Sequence, residues 1–314
     1  MPQLSVSQAR VIDPILSTIA QGYANADLVG NALFPYVPVG QRGGKIITFN
    51  KEDFALYNTG RVPGANTRRV QYGYSGSSYA LESHSLEGVV PVELRQEANA
   101  VPGIDLGQNA VMRTQNIISL RLESAQATLA TTAANYGAGN KTTLAGTSQW
   151  SDLTSGVSDP INDIEVAKEA IRKAVGKRPN TVVVGAAVMA KLRMHPKIVD
   201  RMKYTGRDVA TVEILASLLG VKQVLVGDAV YTDAAGTMTD VWGKFVVVAY
   251  TELGNLAAMG APTFGYTYRL AGYPIAETPY LDRNAKSWAY PVTDEVAPVI
   301  AGATAGYLIS AAVA

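Results

Sequence analysis

There is no cysteine among the 314 residues, which removes disulfides, zinc–thiolate centres and thiol nucleophiles together. Histidine is nearly as scarce: His84 and His195 are the two copies, and neither stands in H-E-x-x-H or another ligand spacing, so no metal site is assigned. His84 is expected on the surface of a polar strand, and His195, before Pro196, is expected to meet the carbonyls of a helix end. A G-x-S-x-G elbow and a G-x-G-x-x-G fingerprint after a strand are both missing. The run from Gly137 to Thr142 imitates a phosphate loop, but its spacing is short and it follows a helix, whose C-terminal end carries the wrong partial charge. Glu52 and Asp53 are adjacent, so on a strand they point to opposite faces and cannot share a proton transfer. No catalytic residue and no cofactor site is assigned.

An excess of charge is missing too. Lys and Arg number 27 against 26 Asp and Glu, a formal net charge of +1. Bulk electrostatics therefore do not mark a nucleic-acid or membrane binder. Locally, Lys168 to Arg207 carries eleven lysines and arginines, read mainly as the solvated faces of helices, with a polyanion or an acidic neighbour as the alternative. The N-terminus lacks a basic region followed by an apolar core, so no signal peptide is expected. Residues 296–314 carry no charge and approach a membrane span in length. Pro298, Gly302 and Gly306 interrupt them and no Lys or Arg flanks them, so they read as buried strands of small residues.

What is present is enough apolar material for a core: 47% hydrophobic and 17% charged residues, in a length that suits two moderate domains. Val11, Ile15 and Ile19 predict a helix over 7–22, capped by Ser7 and disturbed by Pro14. Leu33, Phe34 and Pro35 read as a buried turn. Strands are expected over 45–56 and 77–93. The longest helix is expected over 105–136: Asp105 and Gln108 stand at capping-box spacing, Val111, Ile118, Leu122, Ala125 and Leu129 make one apolar stripe, and Gly137 and Gly139 end it. A polar linker is expected over 138–158. Residues 159–260 have an α/β rhythm: a helix from the Asp159 cap to Gly176 with a Glu169–Lys173 pair, a strand over 181–184, helices over 186–194 (stopped by Pro196) and 209–219, and strands over 221–226 and 244–250. Residues 263–292 read as β-rich.

Between the strands at 45–56 and 77–93 lies a long polar excursion. It holds Arg61, Arg68 and Arg69, and 57–74 contains no carboxylate. Such a segment buries too little apolar surface to offset its ordering entropy alone. It makes sense packed on a neighbour, where arginines form charge-assisted bonds with carboxylates. Contacts between subunits are therefore assigned to Arg61, Arg68, Arg69, Glu52 and Phe54. The tyrosines at 72–79 beside Arg68 and Arg69 also suit stacking on a single-stranded nucleic acid, but a near-neutral chain argues against it.

With the elements placed, the chain resembles the major capsid proteins of tailed bacteriophages, with the HK97-like fold. The likeness is carried by Asp13 to Leu16, Gly22-Tyr23, Leu28 to Gly30, Leu33 to Pro35, Val37 to Val39, Gly43 to Lys45 and Phe49 to Phe54. The order of elements extends it in layout over the whole chain. It implies an α+β fold with an N-terminal arm (1–40), an extended β-loop (41–92), a peripheral domain with a long spine helix (93–158), an α/β axial domain (159–260) and strands returning to the peripheral domain (261–314). It implies pentamers and hexamers of one subunit in an icosahedral virion shell, assembled in the host cytoplasm around double-stranded DNA held non-specifically. Portal, scaffold or protease and decoration proteins are implied partners; a membrane is not. Since the chain begins directly with the arm, any scaffold and protease are expected to be separate proteins, unless the chain is already processed. Lys45 and Lys51 lie where some relatives crosslink a lysine, but no local motif assigns the bond. An encapsulin-like shell shares this fold and stays open as an alternative. A soluble α/β enzyme or ligand-binding protein built on 159–260 is the reading of a different class.

Overall fold

The computed structural model describes residues 28–46, 60, 78–99, 105–202, 211–252 and 263–314. In chain order these form α1 (Gly30–Leu33), β1 (Tyr36–Val39), β2 (Gly43–Lys45), β3 (Ser78–Ala80), β4 (Glu82–Pro91), α2 (Val92–Asn99), α3 (Leu106–Thr131), β5 (Lys141–Thr143), α4 (Pro160–Val175), β6 (Thr181–Gly185), α5 (Ala186–Met194), α6 (Pro196–Met202), α7 (Val212–Leu219), β7 (Gln223–Gly227), β8 (Val230–Thr232), β9 (Met238–Asp240), β10 (Val246–Ala249), β11 (Gly265–Leu270), β12 (Ile275–Ala276), β13 (Tyr280–Asp282), β14 (Ser287–Ile300) and β15 (Gly306–Ser310). The helix expected over 7–22 lies outside the described residues, as does all but the first residue or two of the strand expected over 45–56.

Two sheets organise these elements. One has six strands. Its path runs β1-β11-β14-β12, and β13 and β4 also pair with β14. The other has five, in the order β5-β15-β10-β6-β7. Two short ribbons, β2-β3 and β8-β9, stand apart from them.

The long helix α3 starts where the sequence places it. The Asp105 carboxylate accepts from the N–H groups of Gly107 and Gln108 at 2.8 and 3.1 Å, satisfying two donors that a helix start leaves without partners. Val111 and Ile118 pack with Val90, Tyr290 and Val292 of the six-stranded sheet. Gly107 lets helix and strand approach, since a Cβ there would stand 2.7 Å from the Tyr290 ring. Farther along, Ala127 and Ala130 join the main core with the five-stranded sheet, so α3 braces both sheets. The helix stops at Thr131, short of the expected 136. Side chains close its end without a glycine: Thr131 and Thr132 hydroxyls donate to the carbonyls of Ala127 and Thr128, the Asn135 amide to Leu129, and the Tyr136 hydroxyl to Ala130.

In the five-stranded sheet β6 and β7 are parallel, joined through α5 to α7, while β10 runs antiparallel to both β6 and β15. Every residue of β6 and β10 is buried. Asp159 caps α4, accepting from the N–H of Asn162, and Gly176 ends it at φ 69°, a left-handed conformation that suits glycine. Two expectations change here. Glu169 pairs with Arg172 at 2.8 Å and reaches Arg178 at 3.7 Å, so the ion pair uses the i,i+3 neighbour rather than Lys173. Pro196 opens α6 rather than only ending α5, as its fixed φ and missing donor allow at a first turn.

Residues 138–158 read as a polar linker, yet they are anchored. β5 pairs with β15. Trp150 is fully buried, and its indole N–H donates to Asp163 at 2.8 Å. The uncharged C-terminal stretch is buried as expected. It supplies the end of β14 to one sheet and β15 to the other. Among the described residues no helix is long and apolar enough to cross a membrane.

Candidate functional site

Among the described residues no group of three or more His, Cys, Asp or Glu side chains could hold a metal ion. His195 is 2% exposed, and its Nε2 lies 3.2 Å from the buried Ser158 hydroxyl. Its partner is thus a side chain rather than helix carbonyls. Burial and the nearby Lys197 hold its pKa below the usual histidine value. His84 is half-buried instead of lying on the open surface, opposite Asp294 across the β4–β14 ladder. The Lys168–Arg207 stretch is partly neutralised locally. Lys168 is buried and bonds Glu165 and the Leu219 carbonyl at 2.6 Å each, and Lys197 pairs with Asp159 at 2.9 Å.

Three polar constructions stand out because each joins segments distant in sequence. The first centres on Glu123, the one carboxylate of α3. It is 1% exposed. Its oxygens accept from the backbone N–H of Val29 at 3.0 Å, from that of Gly30 at 2.9 and 3.0 Å, and from the Trp242 indole at 2.7 Å. The acid pins the segment entering β1 to α3 and to the five-stranded lobe. Gly30 belongs there because a Cβ would collide with Glu123 and Gln126. Burial raises the Glu123 pKa, while these three donors pull it down.

The second is Asp294 on β14. Its Oδ2 accepts from Arg269 of β11 at 2.9 Å, and that guanidinium lies 3.9 Å from the Tyr36 ring centre, a cation–π distance. Burial raises the pKa of Asp294, with Arg269 opposing it. Arg269 Nε and Asp294 Oδ1 have no hydrogen-bond partner among the described residues.

The third is the next residue. Successive strand residues point to opposite faces, and Glu295 meets Arg42, in the link between β1 and β2. The fork is bidentate: Nε to Oε2 at 2.7 Å and a terminal nitrogen to Oε1 at 3.0 Å. The Glu295 side chain is 6% exposed and that of Arg42 61%. Beside it the β2–β3 ribbon pairs Gly43 with Ala80 and Lys45 with Ser78. The Leu81 N–H donates to the Arg42 carbonyl at 2.8 Å, and the Tyr79 ring stacks on Tyr268 at 4.2 Å.

This ribbon is the root of the long polar excursion. Arg61, Arg68, Arg69, Glu52 and Phe54, the contact residues assigned from sequence, all lie outside the described residues, as does Lys51; Lys45 closes β2. The fully buried Leu33 and Phe34 hold the turn where expected, with Phe34 and Phe264 ring centres 5.4 Å apart. Sequence reasoning passed over Glu123, Arg42, Asp294 and Glu295. Signals existed: a lone acid on the long helix, and two adjacent acids inside an otherwise uncharged strand.

Known proteins match this architecture along nearly its whole length. The profile of the family described as phage major capsid protein E covers residues 112–311. The major capsid protein of Burkholderia phage BcepMu is 38% identical over 309 residues, spanning 97% of this chain and 98% of that protein. A crystal structure of a phage-related protein from Bordetella bronchiseptica RB50 is 44% identical, with a TM-score of 0.82 over 97% of this chain and 98% of that one. The mature capsid of bacteriophage PhiM1, 15% identical, shares the fold at a TM-score of 0.53 over 98% of this chain and 92% of its own. A long helix bracing two sheets and this breadth of likeness make the chain a member of the phage major capsid protein E family, a structural subunit of HK97-like fold that assembles into the multimeric capsid of a virion.

Proposed function

We propose that this subunit forms the pentamers and hexamers of an icosahedral tailed-phage head, built in the host cytoplasm and closed around double-stranded DNA held without sequence preference, and that it has no catalytic role. Residues 1–40 act as an arm, 41–92 as an extended loop, 93–158 as a peripheral domain, 159–260 as an axial domain and 261–314 as returning strands. Portal, scaffold or protease and decoration proteins complete the assembly. The loop reaches a neighbouring subunit, where Arg61, Arg68 and Arg69, with Glu52 and Phe54, supply the contact.

The observation that carries this reading is the β2–β3 ribbon. It commits backbone pairing and a tyrosine stack to the root of a segment whose arginines have no carboxylate among themselves. Exposed apolar side chains add support: Val89 at 60%, Ile117 at 55% and Met238 at 63% exposure suit surfaces that neighbours cover.

The test is assembly. Arg61→Glu with Arg68→Glu should leave the circular dichroism and urea midpoint of dissociated subunits unchanged. Negative-stain images should then show capsomers or aggregates where the unaltered protein shows closed shells, and rising salt should weaken wild-type assembly in the same direction. Normal shells from the double variant would refute the contact.

A further inference from the structure

We propose that the Arg42–Glu295 pair is a positioning element: it fixes the direction in which the β2–β3 ribbon leaves the subunit, and it acts on the geometry of assembly rather than on folding. The inference rests on the reading that the loop beyond this ribbon touches a neighbour.

The attachments of the root differ in kind. The Leu81-to-Arg42 hydrogen bond closes the ribbon on itself. The Tyr79–Tyr268 stack attaches β3 to β11 through two parallel rings, 14° apart, which can slide over one another at little cost. The fork is directional. Two parallel N–H···O bonds lock a planar guanidinium against a planar carboxylate, fixing rotation as well as distance. The two ends also differ. Glu295 is buried in β14, the longest strand, paired on both edges. The Arg42 side chain reaches it from the solvent side, and Tyr273 also lies against its guanidinium. A mostly solvated arginine contributes little to the fold. It is well placed to orient the ribbon that begins one residue later.

Leverage makes orientation matter. Residues 46–77 connect the two strands of the ribbon, and a connection of that length can reach out and return over at most about 55 Å. A small tilt at the root therefore moves the tip by several ångströms, more than a bidentate contact on a neighbour tolerates. A contact repeated around each ring of subunits needs the tip within reach of its neighbour in every copy.

The cysteine-free sequence allows a direct measurement. Ser78→Cys on β3 and Lys173→Cys on α4, both exposed positions, take spin labels, and electron–electron resonance gives the distance between ribbon and lobe. Arg42→Ala with Glu295→Gln removes the pair without leaving an unpaired buried charge. Arg42→Lys keeps the charge and loses the fork. The double variant should fold as the unaltered chain does by circular dichroism and urea titration. Its spin-label distance distribution should broaden at least twofold, and its yield of closed, uniform shells should fall at least tenfold. Arg42→Lys should fall between. An unbroadened distribution, or uniform shells in normal yield, from the double variant overturns the proposal. If that variant does not fold, Arg42→Lys decides by the same two readouts. If the unaltered protein forms no shells while the variant distances broaden, the positioning role stands and the assembly reading fails.

Discussion

β10 in the five-stranded sheet consists of Val246, Val247, Val248 and Ala249, each wholly buried, whereas β14 in the six-stranded sheet buries Ser287, Thr293, Asp294 and Glu295 among its apolar residues. The first is an apolar run covered on both faces, as in sheets flanked by helices. Its stability comes from area removed from water. The second spends burial on ions. Desolvating a carboxylate costs several kcal/mol, which an arginine partner offsets at best in part. The difference reflects what each sheet holds. The valine sheet holds its own helices. The ionic strand holds β1 through Arg269 and Tyr36, and the β2–β3 ribbon through Arg42. These peripheral segments have too little apolar surface to fix themselves.

The largest effect tests the ionic side. Asp294→Ala leaves Arg269 without its counterion and should cost about 3–5 kcal/mol in urea titrations of dissociated subunits. Asp294→Leu combined with Arg269→Met should recover most of that loss, because two apolar side chains of similar size carry no desolvation penalty. If the double variant is as unstable as the single one, the two residues are not a coupled pair. The counterpart in the valine sheet is Val247→Thr. It nearly preserves shape and buries a hydroxyl among valines, and should cost about 1–3 kcal/mol. A null result there means the hydroxyl has found an acceptor and the sheet is less dry than its sequence.

Glu123 spans the two lobes and sharpens the comparison through pH. Its pKa is raised in the folded subunit because burial outweighs the donors Trp242, Gly30 and Val29; no charged group is among the causes of the shift. The folded state therefore holds the proton to higher pH than the unfolded chain, whose glutamates titrate near about 4.3. Wild-type stability should fall as pH rises from there through the folded value. Glutamine does not titrate, so the difference between wild type and Glu123→Gln should shift toward the variant across that window, by about 1.4 kcal/mol for each pH unit of displacement. A difference constant from about pH 4 to about pH 8 would mean that the folded carboxylate titrates at its ordinary pKa.

Much of the fold was legible because its signals are local. Asp105, Asp159 and Gly176 cap helices as their spacing says, and the valine runs can only be buried strands. The end of α3 was not legible, because threonine hydroxyls and Asn135 took over the task that a glycine usually marks. Nor was the division of the last residues between two sheets, since an apolar strand of small residues suits either. The candidate site was harder still. Arg42 and Glu295 meet across 253 positions of sequence, and no periodicity links them. Only the odd placement of two acids in β14 hinted that something must reach in to meet them.

The smallest effect belongs to an ion pair of good geometry. Arg172 Nε and a terminal nitrogen contact both Glu169 oxygens at 2.8–3.2 Å, within about 0.2 Å of the 2.7–3.0 Å contacts of Arg42 and Arg269. Yet both side chains are more than two-fifths exposed. Water screens the attraction, and holding two long side chains in one arrangement costs entropy that the pair barely offsets. Arg178 stands ready at 3.7 Å from the same carboxylate, so removing Arg172 leaves Glu169 solvated and still near a cation. Arg172→Ala should therefore leave the urea midpoint of the dissociated subunits unchanged within error, at low and high salt alike. Shell formation should be unchanged too, since α4 gives this pair no distant segment to hold. Matching bond lengths with opposite outcomes at Arg172 and Asp294 would identify burial as the variable that separates them. A loss at Arg172 comparable to that of Asp294→Ala would show that it is not.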